Sequence, residues 1–272
     1  TDFDVFHPTY YDPYFLDLEK ERPFVLTIHD MIYEIFPEYF PVSDTTASRK
    51  RKLIEAADSI ICVSEKTRTD LLEFFPDLDT SSVQVIHHGN PLNLTISLET
   101  IQEKQGASKE RKQLLYVGDR WTYKNFNFFI TASIKILRKY PWLDIACVGG
   151  GKLSADEIRY LKQLDVLKRV RHYPVNDEQL VKHYRNSLAL VIPSLYEGFG
   201  MPVLEAFACG CPVICSNSGS LPEIAQDAAV YFDPKNIISI QNAVESVITN
   251  DDLREVMVKK GLNILKNYSW AR

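Results

Sequence analysis

The chain has 272 residues, 45% of them hydrophobic and 25% charged, the balance of a soluble globular protein with enough apolar material for real cores. Its formal net charge of −5 argues against a nucleic-acid binder, which needs a broad basic surface. Five cysteines (Cys62, Cys147, Cys209, Cys211, Cys215) form no CxxC pair, and their odd number suits a reducing compartment rather than a disulfide framework. No apolar run reaches the ~20 residues of a spanning helix, and the opening residues carry no signal-peptide pattern. A cytoplasmic location is expected, with peripheral membrane contact left open. The sequons at Asn93 and Asn267 read as chance in that setting.

Val5-Phe6-His7 reads as the end of a strand. Phe24 to Ile28 is a β-rich run stopping at His29-Asp30. Residues 47–57 favour a helix, and 59–63 form a buried type of strand. Ser64 is placed to cap a helix through Phe74, since its side-chain oxygen can accept a free N–H of the first turn. Residues 83–86 are a strand ending in His87-His88-Gly89-Asn90. Residues 92–111 are polar, lack a period and read as a linker.

Beyond them the alternation is more regular. Strands are predicted at 114–117, 143–148, 170–173, 188–192, 212–215 and 230–232. Helices are predicted at 126–140, 155–164, 178–186, 202–208 and 221–225, followed by two charged amphipathic helices. Nearly all-apolar strands alternating with helices imply parallel sheets covered on both faces. The expected architecture is α/β, with two Rossmann-like units spanning residues 1–105 and 106–272. Ligands of such folds sit beyond the carboxyl ends of the strands.

Three loops there carry chemistry-bearing residues. Ser194 to Glu205 follows a strand and runs into a helix. Gly198 and Gly200 let a ligand approach the backbone, Pro202 suits a first helical turn, and the helix start favours an anion. Glu197 and Glu205 can each accept paired hydroxyls of a sugar or ribose, although each taken alone reads more readily as a solvated acid. Gly118 to Asn125 offers Arg120 and Lys124 to a diphosphate, against the simpler reading of two surface cations. His29 can exchange hydrogen bonds or a proton with a substrate hydroxyl, or be a satisfied wall residue. His87-His88 lack a third ligand at metal spacing, so zinc is rejected. Gly149-Gly150-Gly151 reads as a plain turn, Ser220 and Glu223 as a capping box, and Trp270 as a packing anchor.

The stretch PSLYEGFGMPVLEAFACGCPVICSNSGSLPEI resembles the signature of family 4 glycosyltransferases, which have the GT-B fold. It carries their two glutamates, Glu197 and Glu205, separated by seven residues. YVGDRWTYKN resembles their phosphate loop and PVNDEQLVKHYRNSLALVIPS their approach to the signature. VIHHGN, TIHD and CVSEKTRTDLL resemble first-domain segments, especially of mannosyltransferase-like members. The resemblance is most specific from Leu115 to Glu223.

It implies a retaining, metal-independent transfer of a sugar from a nucleotide-diphosphate sugar to a glycan or lipid-linked acceptor, in polysaccharide biosynthesis. No cofactor is implied beyond the donor. GDP-mannose is the first candidate, with UDP- and dTDP-sugars open. By the resemblance, Arg120 and Lys124, following Gly118, neutralise the diphosphate. Glu205 holds the ribose, with Val203 and Leu204 in the same binding segment. Glu197 and the backbone of Gly198, Phe199, Gly200 and Met201 face the transferred sugar, and His29 contacts it from the first domain. The resemblance also implies that the chain starts partway through that domain. Two other readings remain: a glycosyltransferase-like module that binds without turnover, and a glycosidase using Glu197 and Glu205 as its acid and nucleophile.

Overall fold

The computed structural model describes residues 3–17, 22–92, 113–120 and 122–271. The expected boundary at 105/106, the 93–111 part of the linker, the Asn93 sequon and Trp121 lie outside them. The chain divides into two compact units. The first runs to His88 and includes Tyr196–Phe199, and the second comprises Gly89–Leu195 and the residues from Gly200 onward.

Among the described residues the first unit holds a three-stranded sheet of β1 (Val25–Ile28), β2 (Ser59–Cys62) and β3 (Val83–Val85). The strands are parallel and adjacent in chain order. Phe6 adds an isolated parallel bridge to Phe24, which is what the predicted strand end at 5–7 amounts to. Phe24, Leu26, Ile28, Leu53, Ile60 and Leu71 close the core. A side chain of this kind contributes about 1.5–3 kcal/mol when fully buried. The Glu65–Phe74 helix starts at Ser64, whose side chain accepts from Thr67 N as expected of a cap.

The second unit holds a six-stranded parallel sheet in the order β6-β5-β4-β7-β8-β9. Its strands are β4 (Gln113–Val117), β5 (Asp144–Val148), β6 (Val170–Tyr173), β7 (Ala189–Ile192), β8 (Val213–Ser216) and β9 (Ala229–Phe232). β7 and β8 are buried at every position, so they read as unbroken apolar runs. The Phe126–Lys139 helix buries Phe126, Phe129, Ile130, Ser133, Ile136 and Leu137 at helical spacing. The order reverses between β4 and β7. Ligands of doubly wound sheets bind at the carboxyl ends of the strands flanking such a reversal.

One capping expectation changes. Ser220 is the residue before the Leu221–Ala225 helix, but its backbone is already helical and its side chain makes no cap bond. Capping boxes form instead at Ser154 with Glu157 and at Asn176 with Gln179. A 3-10 turn at Thr122–Lys124 stands within the expected loop, and a short helix at Ile32–Ile35 follows β1.

Candidate functional site

The loops after β4 and β7 flank the switch point of the second sheet. Leu195 N donates to Tyr123 O at 2.7 Å, which ties the two loops together. Asn125, in the left-handed region at φ 59°, donates from Nδ2 to Pro193 O at 3.0 Å and Pro234 O at 2.8 Å. Ser216 Oγ donates to Ser194 O at 2.6 Å from the neighbouring strand. Lys124 closes the 3-10 turn, its ammonium 5.2 Å from the Tyr123 ring centroid.

Arg120 lies elsewhere than a free phosphate fork would. Its side chain is 3% exposed and pairs with Glu157, Nε to Oε1 at 2.7 Å. Nη1 donates to Gly149 O at 2.9 Å, and Nη2 to the carbonyls of Gly150, Gly151 and Lys152 at 3.2, 2.8 and 3.1 Å. The carbonyls converge because Gly149, Gly150 and Gly151 take φ values of 82, 64 and 71°, a run that side-chain-bearing residues resist. What read as a plain turn is a carbonyl cage around a guanidinium. Burial works to raise the Glu157 carboxyl, but the Arg120 bond and the Ser154 backbone N–H outweigh it and hold it below its ordinary range.

Glu205 lies in the Met201–Ala208 helix, whose preceding residue Gly200 takes φ 105°. A side chain at Gly200 would stand 3.1 Å from Leu221 Cδ2. Pro202, Val203 and Leu204 complete the first turn, with Val203 and Leu204 buried. The Tyr184 hydroxyl donates to Glu205 Oε2 at 2.6 Å. Burial raises the Glu205 carboxyl above its ordinary value, and the Tyr184 bond opposes that rise. Tyr184 was missed in the sequence. Its one signal is a phenol on the inward face of the mostly polar Asp177–Asn186 helix.

In the first unit, His29 directly follows β1. Its N–H donates to Tyr11 Oη at 3.0 Å, and its ring lies 6.0 Å from that of His88, nearly parallel at 13°. Burial lowers the pKa of both imidazoles. Lys50, wholly buried, donates to Asp30 O at 2.9 Å and pairs with Glu34 at 2.7 Å, fixing the turn after His29. Gly198 packs against the same turn: a Cβ there would stand 2.0 Å from His29 O. The Phe199 ring meets His88 edge-on at 5.0 Å. The described geometry therefore packs Gly198 against His29 in one unit, while Gly118, Arg120, Lys124 and Glu205 belong to the other.

The five thiols are buried, and burial pushes those of Cys62, Cys147 and Cys209 up to about 12. As thiols they are poor nucleophiles at neutral pH. Among the described residues no helix is long and apolar enough to cross a membrane.

The profile described as Glycosyl transferases group 1 matches residues 97–263, and that described as Glycosyltransferase Family 4 matches residues 1–93. The O-antigen chain mannosyltransferase B of Escherichia coli is 30% identical over 98% of this chain and 71% of its own length. The chain belongs to glycosyltransferase family 4.

Solved structures agree on the GT-B type of fold. Sucrose-phosphate synthase from Thermosynechococcus elongatus has a TM-score of 0.79 at 20% identity, covering 99% of this chain and 70% of that one. Anabaena HepE, solved in complex with UDP and glucose, has a TM-score of 0.78 at 16% identity, covering 98% and 74%. This family 4 chain spans 56% and 62% of the length of two further curated relatives.

Proposed function

We propose that this chain carries the donor site of a hexosyltransferase. The enzyme moves a sugar from a nucleotide-diphosphate sugar to a glycan or lipid-linked acceptor, with retention and without a metal. The observation that carries the reading is that Lys124 lies on one loop flanking the switch point and Glu205 in the Met201–Ala208 helix that follows the other. An ammonium and a helix N-terminus both favour a diphosphate, and a half-buried carboxylate suits paired ribose hydroxyls. Stabilising the departing diphosphate in this way is electrostatic catalysis.

In this proposal residues 106–272 hold the nucleotide and residues 1–105 serve the acceptor side. Glu197, the Gly198–Met201 backbone and His29 act on the transferred sugar. Arg120 contributes by shaping the Gly149–Lys152 loop, since its guanidinium is engaged there. The relative named for mannose transfer favours GDP-mannose, whereas the structural neighbour solved with UDP and glucose keeps UDP-sugars in play. The proposed setting is polysaccharide synthesis in the cytoplasm, at or near a membrane surface.

Thermal unfolding against GDP, UDP, dTDP, ADP and their sugars tests the reading, with Glu205→Ala as control. A ligand at one hundred times its Kd stabilises by about 2.7 kcal/mol. A shift with one diphosphate that Glu205→Ala abolishes supports the site and names the base. No shift in a folded sample overturns it. Binding without sugar transfer to any acceptor leaves a module that binds only.

A further inference from the structure

The signature loop is carried by the second unit's chain, yet its segment Tyr196–Phe199 clusters with the first. The grips are specific. Gly198 O accepts from Ser64 Oγ at 2.7 Å and from Thr67 Oγ1 at 3.0 Å. Two residues earlier in the loop, the Tyr196 hydroxyl donates to Asp70 Oδ2, while Asp70 Oδ1 pairs with Lys66. Ser64, Thr67 and Asp70 recur every three residues and so share one face at the start of the Glu65–Phe74 helix. They are 0%, 0% and 3% exposed, and Tyr196 is 4% exposed.

A helix cap accounts for one of these groups, because Ser64 Oγ also accepts from Thr67 N. It does not account for Thr67 and Asp70, since apolar side chains would fill an inward face without the cost of burying polar groups. Their partners flank a single residue. Glu197 is held between two fixed points, the Tyr196 hydroxyl and the Gly198 carbonyl. Gly198 has no room to back away, with His29 O against its α-carbon and Asp30 Cβ 2.8 Å from where a Cβ would stand.

We infer that Ser64, Thr67 and Asp70 form a positioning clamp that fixes Glu197 for the transferred sugar, separately from the nucleotide grip of Glu205 and Lys124. The inference rests on the reading of Glu197 as the sugar-facing carboxylate. The sugar end of the donor then depends on how Glu197 is held, and the nucleotide end does not.

The test uses the full chain with Tyr196→Phe and Asp70→Asn; Tyr196→Phe removes one hydroxyl and serves alone if Asp70→Asn does not fold. Amide exchange should quicken at 196–199 and stay unchanged at 202–208. GDP or UDP, whichever shifts the wild-type melting point, should keep its affinity within about two-fold. GDP-mannose or UDP-glucose should bind ~10-fold more weakly than to wild type, the scale of one lost buried hydrogen bond. Unchanged exchange at 196–199 overturns the clamp. So does an equal loss of affinity for diphosphate and sugar conjugate, which marks a purely structural role. If no nucleotide binds the wild type, the donor-site reading fails, and the exchange result still decides whether the clamp exists.

Discussion

Tyr184 donates its hydroxyl to Glu205 Oε2 across 2.6 Å, from a position with no solvent exposure of its own. The bond fixes one carboxylate oxygen, and in the proposed donor site the other serves the ribose. Tyr184→Phe removes that aim without opening a cavity. Nucleotide diphosphate affinity should fall ~10-fold, which corresponds to about 1.4 kcal/mol. Titration calorimetry with the diphosphate that stabilises the wild type measures it.

Glu205 also sets a pH dependence. Its carboxyl titrates above the ordinary glutamate value of about 4.3, because burial disfavours the charge. Gripping two hydroxyls needs the ionised form, so nucleotide affinity should drop as pH falls through this raised value. Glu205→Gln should bind weakly and without that inflection. Stability runs the other way: folding favours the protonated form, a contribution present at low pH and lost as pH rises through the folded pKa. Glu205→Gln should therefore gain stability relative to wild type near neutrality, as followed by urea unfolding.

Arg120, buried inside the second unit, pairs with the half-buried Glu157, and removing the guanidinium strands the carboxylate and the glycine carbonyls it bonds. Arg120→Ala should cost about 3 kcal/mol of unfolding free energy. Glu157→Gln should cost less, because the glycine carbonyls still receive the guanidinium. The carboxyl is held below its ordinary range, so its contribution is present above the unfolded glutamate pKa and lost as pH falls through the folded one. Acid unfolding of Glu157→Gln should begin from a lower plateau and lose less. Chemical denaturation across pH 3 to 7 distinguishes the two, a range set about the ordinary glutamate value.

Gly198→Ala places a methyl 2.0 Å from the His29 carbonyl, a backbone atom that cannot rotate aside. The first unit should lose about 1–3 kcal/mol through overpacking. Sugar transfer should fall further than diphosphate binding. Calorimetry beside a transfer assay separates the two.

Lys124→Ala should weaken diphosphate binding ~10-fold or more and flatten its salt dependence, as loss of a phosphate cation does. Affinity measured at two ionic strengths reads both effects.

The alternating apolar runs of the second unit were legible in the sequence, because β7 and β8 are buried at every position and leave no competing pattern. Ser64 was legible as a cap, since capping is a local bond between neighbours. Arg120 was not legible as the hub of a carbonyl cage. Its partners Gly149 and Glu157 lie 29 and 37 residues away, and an arginine beside a glycine-rich strand end reads as a surface cation until the fold turns it inward. Asp70 escaped for the same reason, its partner Tyr196 being 126 residues distant. Ser220 misled because the sequence carries the capping-box letters while its backbone has already entered the helix. Local hydrogen bonds leave a local signature, and those closed by tertiary folding leave none.

The grip of Ser64, Thr67 and Asp70 on Tyr196 and Gly198 bears on how such enzymes can be recombined. A chimera that joins residues 1–88 of this chain to another enzyme's nucleotide half inherits a helix face with no loop fitted to it, unless the incoming signature has a phenol and a glycine at these two places. Cutting at the obvious boundary severs a recognition pair that lies far from it. Hybrids designed to change acceptor without changing donor should carry the Ser64–Asp70 segment and the Tyr196–Phe199 segment together, as one inherited part.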